Sequence, residues 1–254
     1  MAEQGAGGPR WGGAPNTIVR ELRAFLTAAL VNPVERVHDE TPSARRRRRL
    51  VVAATVALGA VALGLALAIR PGDPLFYAAT FGVAALWVVG ALASGPLYLG
   101  TGRTRSGGRS LGVLQGFLLG LMLLAVFLAG ALVVARIPVL REPVEGLLDH
   151  ARYGSVWVVA LITAVNGVAE ELFFRGAVYA SLERRYNGVG STLLYAASTL
   201  FSGVPLLTLA AVCLGLLTAA QRRVTGGVLG PITSHLTWSL GMLFLLPPTL
   251  ALGG

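Results

Sequence analysis

Long apolar stretches separated by short polar ones fill the chain from residue 50 onward. They lie at about 50–69, 75–99, 111–135, 154–175, 190–204, 206–220 and 227–246. A helix needs about 20 apolar residues to cross a hydrocarbon core of about 30 Å, so each is read as a transmembrane helix. The shortest two flank Pro205. There Gly203–Val204–Pro205 serves either as a tight turn between two spans or as a break within one helix. The pattern predicts an all-α, polytopic membrane helix bundle of about seven spans over residues 50–250.

Residues 1–49 read differently. Residues 1–15 are rich in Gly and Pro and are expected to be disordered. Over about 17–30, Ile18, Leu22, Phe25, Leu26 and Ala29 recur at helical spacing, with Arg20, Glu21 and Arg23 elsewhere around the helix. That is the pattern of an amphipathic helix lying on the membrane surface. A polar linker follows and ends in the arginine run 45–49.

Composition agrees with a membrane protein. The chain is 54% hydrophobic and 13% charged, with a mean hydropathy of +0.69, too apolar for a domain with a water-facing surface. The first long apolar run begins only at Leu50, so no cleavable signal peptide is expected. Cys213 is the single cysteine, which excludes internal disulfides and a Cys-cluster zinc site. All 21 basic residues are arginine. With the run Arg45–Arg49 in the cytoplasm, alternation leaves only Arg70, Arg136, Arg141 and Arg152, 4 of the 21, on the other side. The expected topology is therefore a multi-pass protein of the cell membrane with a cytoplasmic N-terminus. The arginine run anchors that topology and touches membrane lipids; no nucleic acid is expected as a partner.

The polar residues inside the spans carry the chemistry. Glu170 and Glu171 stand near the end of the fourth span, where an ionised carboxylate costs roughly 2.5–3.5 kcal/mol or more. Such residues persist in lipid where an internal polar site uses them. Asn166 lies four residues before Glu170 and shares its face, with Thr163 one turn earlier. Glu171 and Arg175 share the neighbouring face at a spacing suited to an ion pair. On this pattern Arg175 occupies Glu171 and leaves Glu170 free to act as a general base. The last span adds His235, about eight residues or ~12 Å deep at helical rise, with Ser239 one turn later. Glu170 and His235 sit at matching depth, so a shared site is expected.

Glu170–Glu171–Leu172–Phe173–Phe174–Arg175–Gly176 resembles the E-E-x-x-x-R motif of the CAAX protease and bacteriocin-processing (CPBP, or ABI) family of intramembrane endopeptidases. The spacing to His235 is similar to that of the family's last motif, and the resemblance covers about residues 115–246. It implies that Glu170 activates a water, that Glu171 and Arg175 support it, and that His235 stabilises the oxyanion. Two positions depart. Phe201–Ser202–Gly203–Val204–Pro205 takes the place of a middle F-x-x-x-H motif, with Pro205 where the histidine would stand, and Ser239 stands where Asn is usual. Metal dependence stays open: zinc is a candidate cofactor with Glu170 and His235 as candidate ligands, but adjacent helix positions such as Glu170 and Glu171 point about 100° apart and rarely share one ion.

The leading expectation is a CPBP-type endopeptidase acting on a peptide or protein substrate near the cytoplasmic face, with Glu170, Glu171, Arg175, His235 and Ser239 as its site. The alternative is a catalytically inactive CPBP-like scaffold or binding protein, which the loss at Pro205 favours. A proton-coupled transporter would use the Glu pair as a relay, but the chain shows no inverted repeat of that pair. Gly112, Gly116 and Gly120 form a groove in the third span that suits either internal helix packing or a homodimer seam.

Overall fold

The computed structural model describes residues 14–31, 40–97, 99, 102–103, 109–110 and 112–254. The disorder expected at 1–15 falls on residues 1–13, outside that set, and on the first residues of α1 (Ala14–Leu30). Helix α1 packs on α9, burying Ala29 and leaving Val19, Leu26 and Leu30 exposed.

Helix α2 (Pro42–Leu67) starts eight residues before the expected span. Pro42 occupies its first turn and the Thr41 hydroxyl caps it by accepting from the Ala44 N–H at 3.3 Å. The arginine run is thus helical. Arg48 is buried, its guanidinium held by the Glu40 carboxylate, the Ser94 hydroxyl and the Pro96 carbonyl. Helix α3 (Leu75–Ser94) returns antiparallel to α2, and a two-residue antiparallel ladder, β1 (Gly102–Arg103) with β2 (Arg109–Ser110), precedes α4 (Val113–Val134).

Next come α5 (Pro138–Arg152) and α6 (Val156–Glu171). The latter continues without interruption through a π-helical segment (Leu172–Val178) into the single turn α7 (Tyr179–Ser181). Helix α8 (Asn187–Thr199) and a 3₁₀ turn (Leu200–Ser202) lead to α9 (Pro205–Thr225) and α10 (Leu229–Gly253). Between the 3₁₀ turn and α9, Gly203 takes φ +71° and Pro205 opens the new helix. The segment at Pro205 is therefore a tight turn and not a kink.

Among the described residues, six helices are long and apolar enough to cross a membrane: α2, α3, α4, the α6–α7 unit, α9 and α10. The chain is a multi-pass membrane protein. The run at 190–204 became α8, whose 13 residues reach only about 20 Å at 1.5 Å per residue. A count of seven spans is thus not reached by length, although α8 lies inside the bundle against α9 and α2.

Contacts sort the helix ends into two groups. At one end Arg49 donates to the Ser181 carbonyl, Arg48 reaches the end of α3, and Val228 N–H donates to the Leu99 carbonyl. Arg45–Arg49, Arg184, Arg185, Arg222 and Arg223 all belong to this end. At the other, His150 Nε2 lies 2.9 Å from the Ile69 carbonyl and Arg136 Nε donates to the Gly253 carbonyl.

Gly112, Gly116 and Gly120 face α10. A Cβ on Gly116 would stand 2.5 Å from the Gly230 carbonyl oxygen, and one on Gly120 would stand 2.7 Å from that of Ser234. Helix α10 fills that groove within the chain, which leaves no room there for a second copy.

Candidate active site

The π-helical segment follows directly on the two glutamates. All of Phe173 to Val178 are buried, with the segment packed among α2, α3, α8 and α9. Trp87 from α3 stacks on Phe173 and Phe174 at centroid distances of 5.0 and 5.1 Å, and Phe174 meets Tyr195 of α8 at 4.8 Å. This aromatic packing fixes where the helix turns its polar residues. Single π turns recur at functional sites because they re-aim side chains within a continuous helix.

Glu171 and Arg175 are both fully buried, with Glu171 Oε2 3.4 Å from Arg175 Nε. The pairing is a charge contact without hydrogen-bond geometry, and the guanidinium also lies over the Tyr195 ring at 5.0 Å. Glu171 has a second partner: its Oε1 is 2.9 Å from His235 Nδ1. One carboxylate therefore holds both the arginine and the histidine.

Glu170 turns the other way and is not free. The Tyr195 hydroxyl donates to its Oε2 at 2.7 Å, while the same oxygen lies 3.8 Å from His235 Nε2. Glu170 and Glu171 thus approach opposite nitrogens of one imidazole, Glu171 from behind and Glu170 from the cavity side. Asn166 and Glu170 line the same cavity, but the Asn166 amide is engaged by the Thr80 and Ile162 carbonyls at 3.2 and 3.0 Å. Ser239 also lines the cavity, and its buried hydroxyl has no protein partner.

The cavity holds about 540 Å³, within the usual range of about 300–1,000 Å³ for ligand sites. Glu170, Tyr195 and His235 form its floor; Glu171 and Arg175 lie behind them and do not line it. Its walls come from α2, α3, α4, α6, α9 and α10, and α5 roofs it. Residues 138–152 fall between two expected spans in the sequence but do not form a loop. Instead α5 is amphipathic, turning Val144, Leu147, Leu148 and Ala151 into the cavity. His150 of α5 is buried against Phe76, with ring centroids 4.1 Å apart.

Pro205, in contrast, is exposed at the start of α9 and does not line the cavity. Ser202 beside it caps the turn by accepting from the Val204 N–H at 3.2 Å. The residues that α8 directs at the cavity are Tyr195 and Thr199, so the place opposite Glu170 belongs to Tyr195.

The donor set at the floor does not fit zinc. With His235 Nδ1 on Glu171, only Nε2 and the Glu170 carboxylate are offered to a metal at the cavity floor. Among the described residues no group of three His, Cys, Asp or Glu side chains could hold a metal ion, whereas catalytic zinc takes three protein ligands. The site is one ligand short of a zinc centre.

Residues 152–241 match the family model described as type II CAAX prenyl endopeptidase Rce1-like. The matched segment runs from the end of α5 through the first half of α10 and contains Glu170, Glu171, Arg175, Tyr195, His235 and Ser239. The kind of function it carries is that of a CAAX-type intramembrane protease. No curated protein and no solved structure matches the chain.

Proposed function

We propose, from the membership of residues 152–241 in the CPBP family, that this chain is an intramembrane endopeptidase of the cell membrane. In this reading Glu170 activates a water at the floor of the cavity. The observation that carries it is the convergence of Glu170 and His235 there, with 3.8 Å between Oε2 and Nε2. The arginine-rich end lies in the cytoplasm, in keeping with the positive-inside rule.

The division of labour follows from the contacts. Tyr195 holds Oε2 of Glu170 and leaves Oε1 for the reaction. Glu170 accepts a proton from water, and the hydroxide adds to the carbonyl carbon of the peptide bond. His235, between the two carboxylates, donates Nε2–H to the oxyanion, and the Ser239 hydroxyl donates a second hydrogen bond. Collapse of the tetrahedral intermediate breaks the C–N bond, and Glu170 returns its proton to the leaving amine. Glu171 orients the imidazole through Nδ1, and Arg175 balances the buried charge behind it. The chemistry consumes one water and yields one acid and one amine.

The test uses purified protein in liposomes with internally quenched peptides, an uncharged apolar set and a prenylated Cys-aliphatic-aliphatic-X peptide, with products identified by mass spectrometry. Glu170→Gln keeps an oxygen for Tyr195 to donate to, so the fold is retained while the base is lost. Cleavage is expected to fall about 10²–10⁴-fold. Full activity in Glu170→Gln, or no cleavage of any peptide by the folded wild-type chain, would overturn the reading.

A further inference from the structure

Away from the cavity, α2 and α8 pack together and both begin at the arginine-rich end. A Cβ on Gly64 would stand 2.8 Å from the Phe201 Cβ. Fourteen residues back from that contact lie Leu50 on α2 and Asn187 on α8. With the same rise per residue, these two stand at one level, and Arg46, Arg49 and Arg185 lie just outside it. The Arg49 Nε donates to the Ser181 carbonyl at 3.2 Å, which ties the two elements together at that height.

Below the arginines both helices turn an apolar face outward. Leu50, Ala53, Ala57 and Val61 are exposed on α2, and Val189, Leu193, Ala197 and Leu200 on α8. Each set repeats at helical spacing. The α2 set shares its face with Gly64, on which Phe201 packs, so it borders α8 directly. Ala53, Ala57 and Gly64 are small, and beside the bulkier α8 side chains they leave a shallow furrow.

At the head of the furrow cations outnumber acids. Among the described residues neither Arg46 nor the Nη groups of Arg49 meet a protein acceptor, and both side chains are exposed. The exposed Arg185 lies over the Tyr186 ring at 4.5 Å. Glu40 turns to Arg48, and Glu183 is the one acid in the 182–186 connection. Guanidiniums gathered at one level repel one another, and an anion between them relieves this. Their planar forks match phosphate oxygens.

We propose that this furrow binds one phospholipid of net negative charge. Its phosphate lies among Arg46, Arg49 and Arg185, and an acyl chain runs along Ala53 and Ala57 against Leu193. A free phosphate would take the cations and leave the furrow empty. A zwitterionic lipid would fill the furrow but bring its own cation among the arginines. Helix α8 also carries Tyr195 to Glu170, so a lipid clamping α8 to α2 steadies one wall of the candidate site. The lipid site does not depend on whether the chain cuts peptides.

The full chain, purified in mild detergent, is titrated with phosphatidylglycerol or phosphatidylethanolamine of identical acyl chains, and bound lipid is counted by native mass spectrometry. One phosphatidylglycerol is expected to bind at least about tenfold more tightly than phosphatidylethanolamine. Arg46→Gln/Arg49→Gln/Arg185→Gln should abolish that preference. Arg20→Gln/Arg23→Gln/Arg47→Gln removes the same charge from α1 and from the side of α2 towards Gly95, and should keep the preference within twofold. Ala53→Leu/Ala57→Leu fills the furrow at unchanged charge and should weaken phosphatidylglycerol at least fivefold. Inorganic phosphate in large excess should not displace the lipid. Equal affinity for the two lipids, equal loss in the control triple, full binding by the filled furrow, or displacement by phosphate would each overturn the proposal. All variants are compared as single monodisperse peaks; should the arginine triple not elute as one, the wild-type preference and the filled furrow decide.

Discussion

Removing the Glu171 carboxylate should be the most damaging single change to stability, and it should be rescued by removing its partner. Glu171 and Arg175 are completely buried, and Glu171 is the acid nearest both the Arg175 guanidinium and His235 Nδ1. In Glu171→Leu the guanidinium loses its nearest carboxylate and keeps the Tyr195 ring and the more distant Glu170. Breaking a buried ion pair from one side costs about 3–5 kcal/mol because the remaining charge is uncompensated. At about 2–4 °C per kcal/mol for a chain of this size, Tm should fall by roughly 6–20 °C. Replacing both members with apolar residues of similar volume is often neutral, so Glu171→Leu/Arg175→Met should melt well above Glu171→Leu alone. The assay is loss of the monodisperse peak on size exclusion after heating in detergent, across the two single variants and the double. A Glu171→Leu protein melting within about 2 °C of wild type, less than 1 kcal/mol on that scale, or penalties that simply add, would refute the claim that one carboxylate balances the buried guanidinium.

Tyr195→Phe keeps the ring against Phe174 and Arg175 but frees Glu170 Oε2. It should lower kcat up to about 100-fold through misplacement of the base, with KM nearly unchanged; a change confined to KM would assign Tyr195 to substrate binding instead. Gly116→Val should drive a side chain into the Gly230 carbonyl and cost about 1–3 kcal/mol as overpacking, read as a lower Tm with no change in mass by light scattering. A change of oligomeric state at wild-type Tm would return this groove to an interface between copies. Pro205→His should leave peptide cleavage within about twofold of wild type, because surface changes away from a site are nearly neutral; a large gain or loss would mean that the turn before α9 reaches the reacting groups.

Most of the bundle was legible because a lipid-facing helix needs an unbroken apolar run, and the runs containing Leu123, Ile162 and Leu214 supply it. Helix α5 was not. It is 15 residues long, carries two prolines and three acidic groups, and so reads as a polar connection. The spacing Val144, Leu147, Leu148, Ala151 was the signal that could have revealed it. The convergence of Glu170, Glu171, Arg175 and His235 followed from helix spacing and depth, but which carboxylate meets which ring nitrogen depends on the π-helical turn, and nothing in the residue pattern announces one. The residue pattern does not single out Tyr195, because a tyrosine in an apolar helix is ordinarily an interfacial anchor. Its membership in the stripe Ser191, Tyr195, Ser198 and Thr199, repeating at helical intervals along α8, was the available clue.

The burial of six consecutive residues, Phe173 to Val178, gives this stretch no outward side. Every other membrane helix here alternates tolerant and intolerant positions as it turns past lipid. In a saturation mutagenesis map the α4 region should appear as stripes spaced by the helical repeat, whereas 173–178 should appear as one solid block in which even small apolar replacements are poorly borne. The hub around which the bundle is assembled and the backing of its reactive floor are the same six residues, so drift in one is constrained by the other.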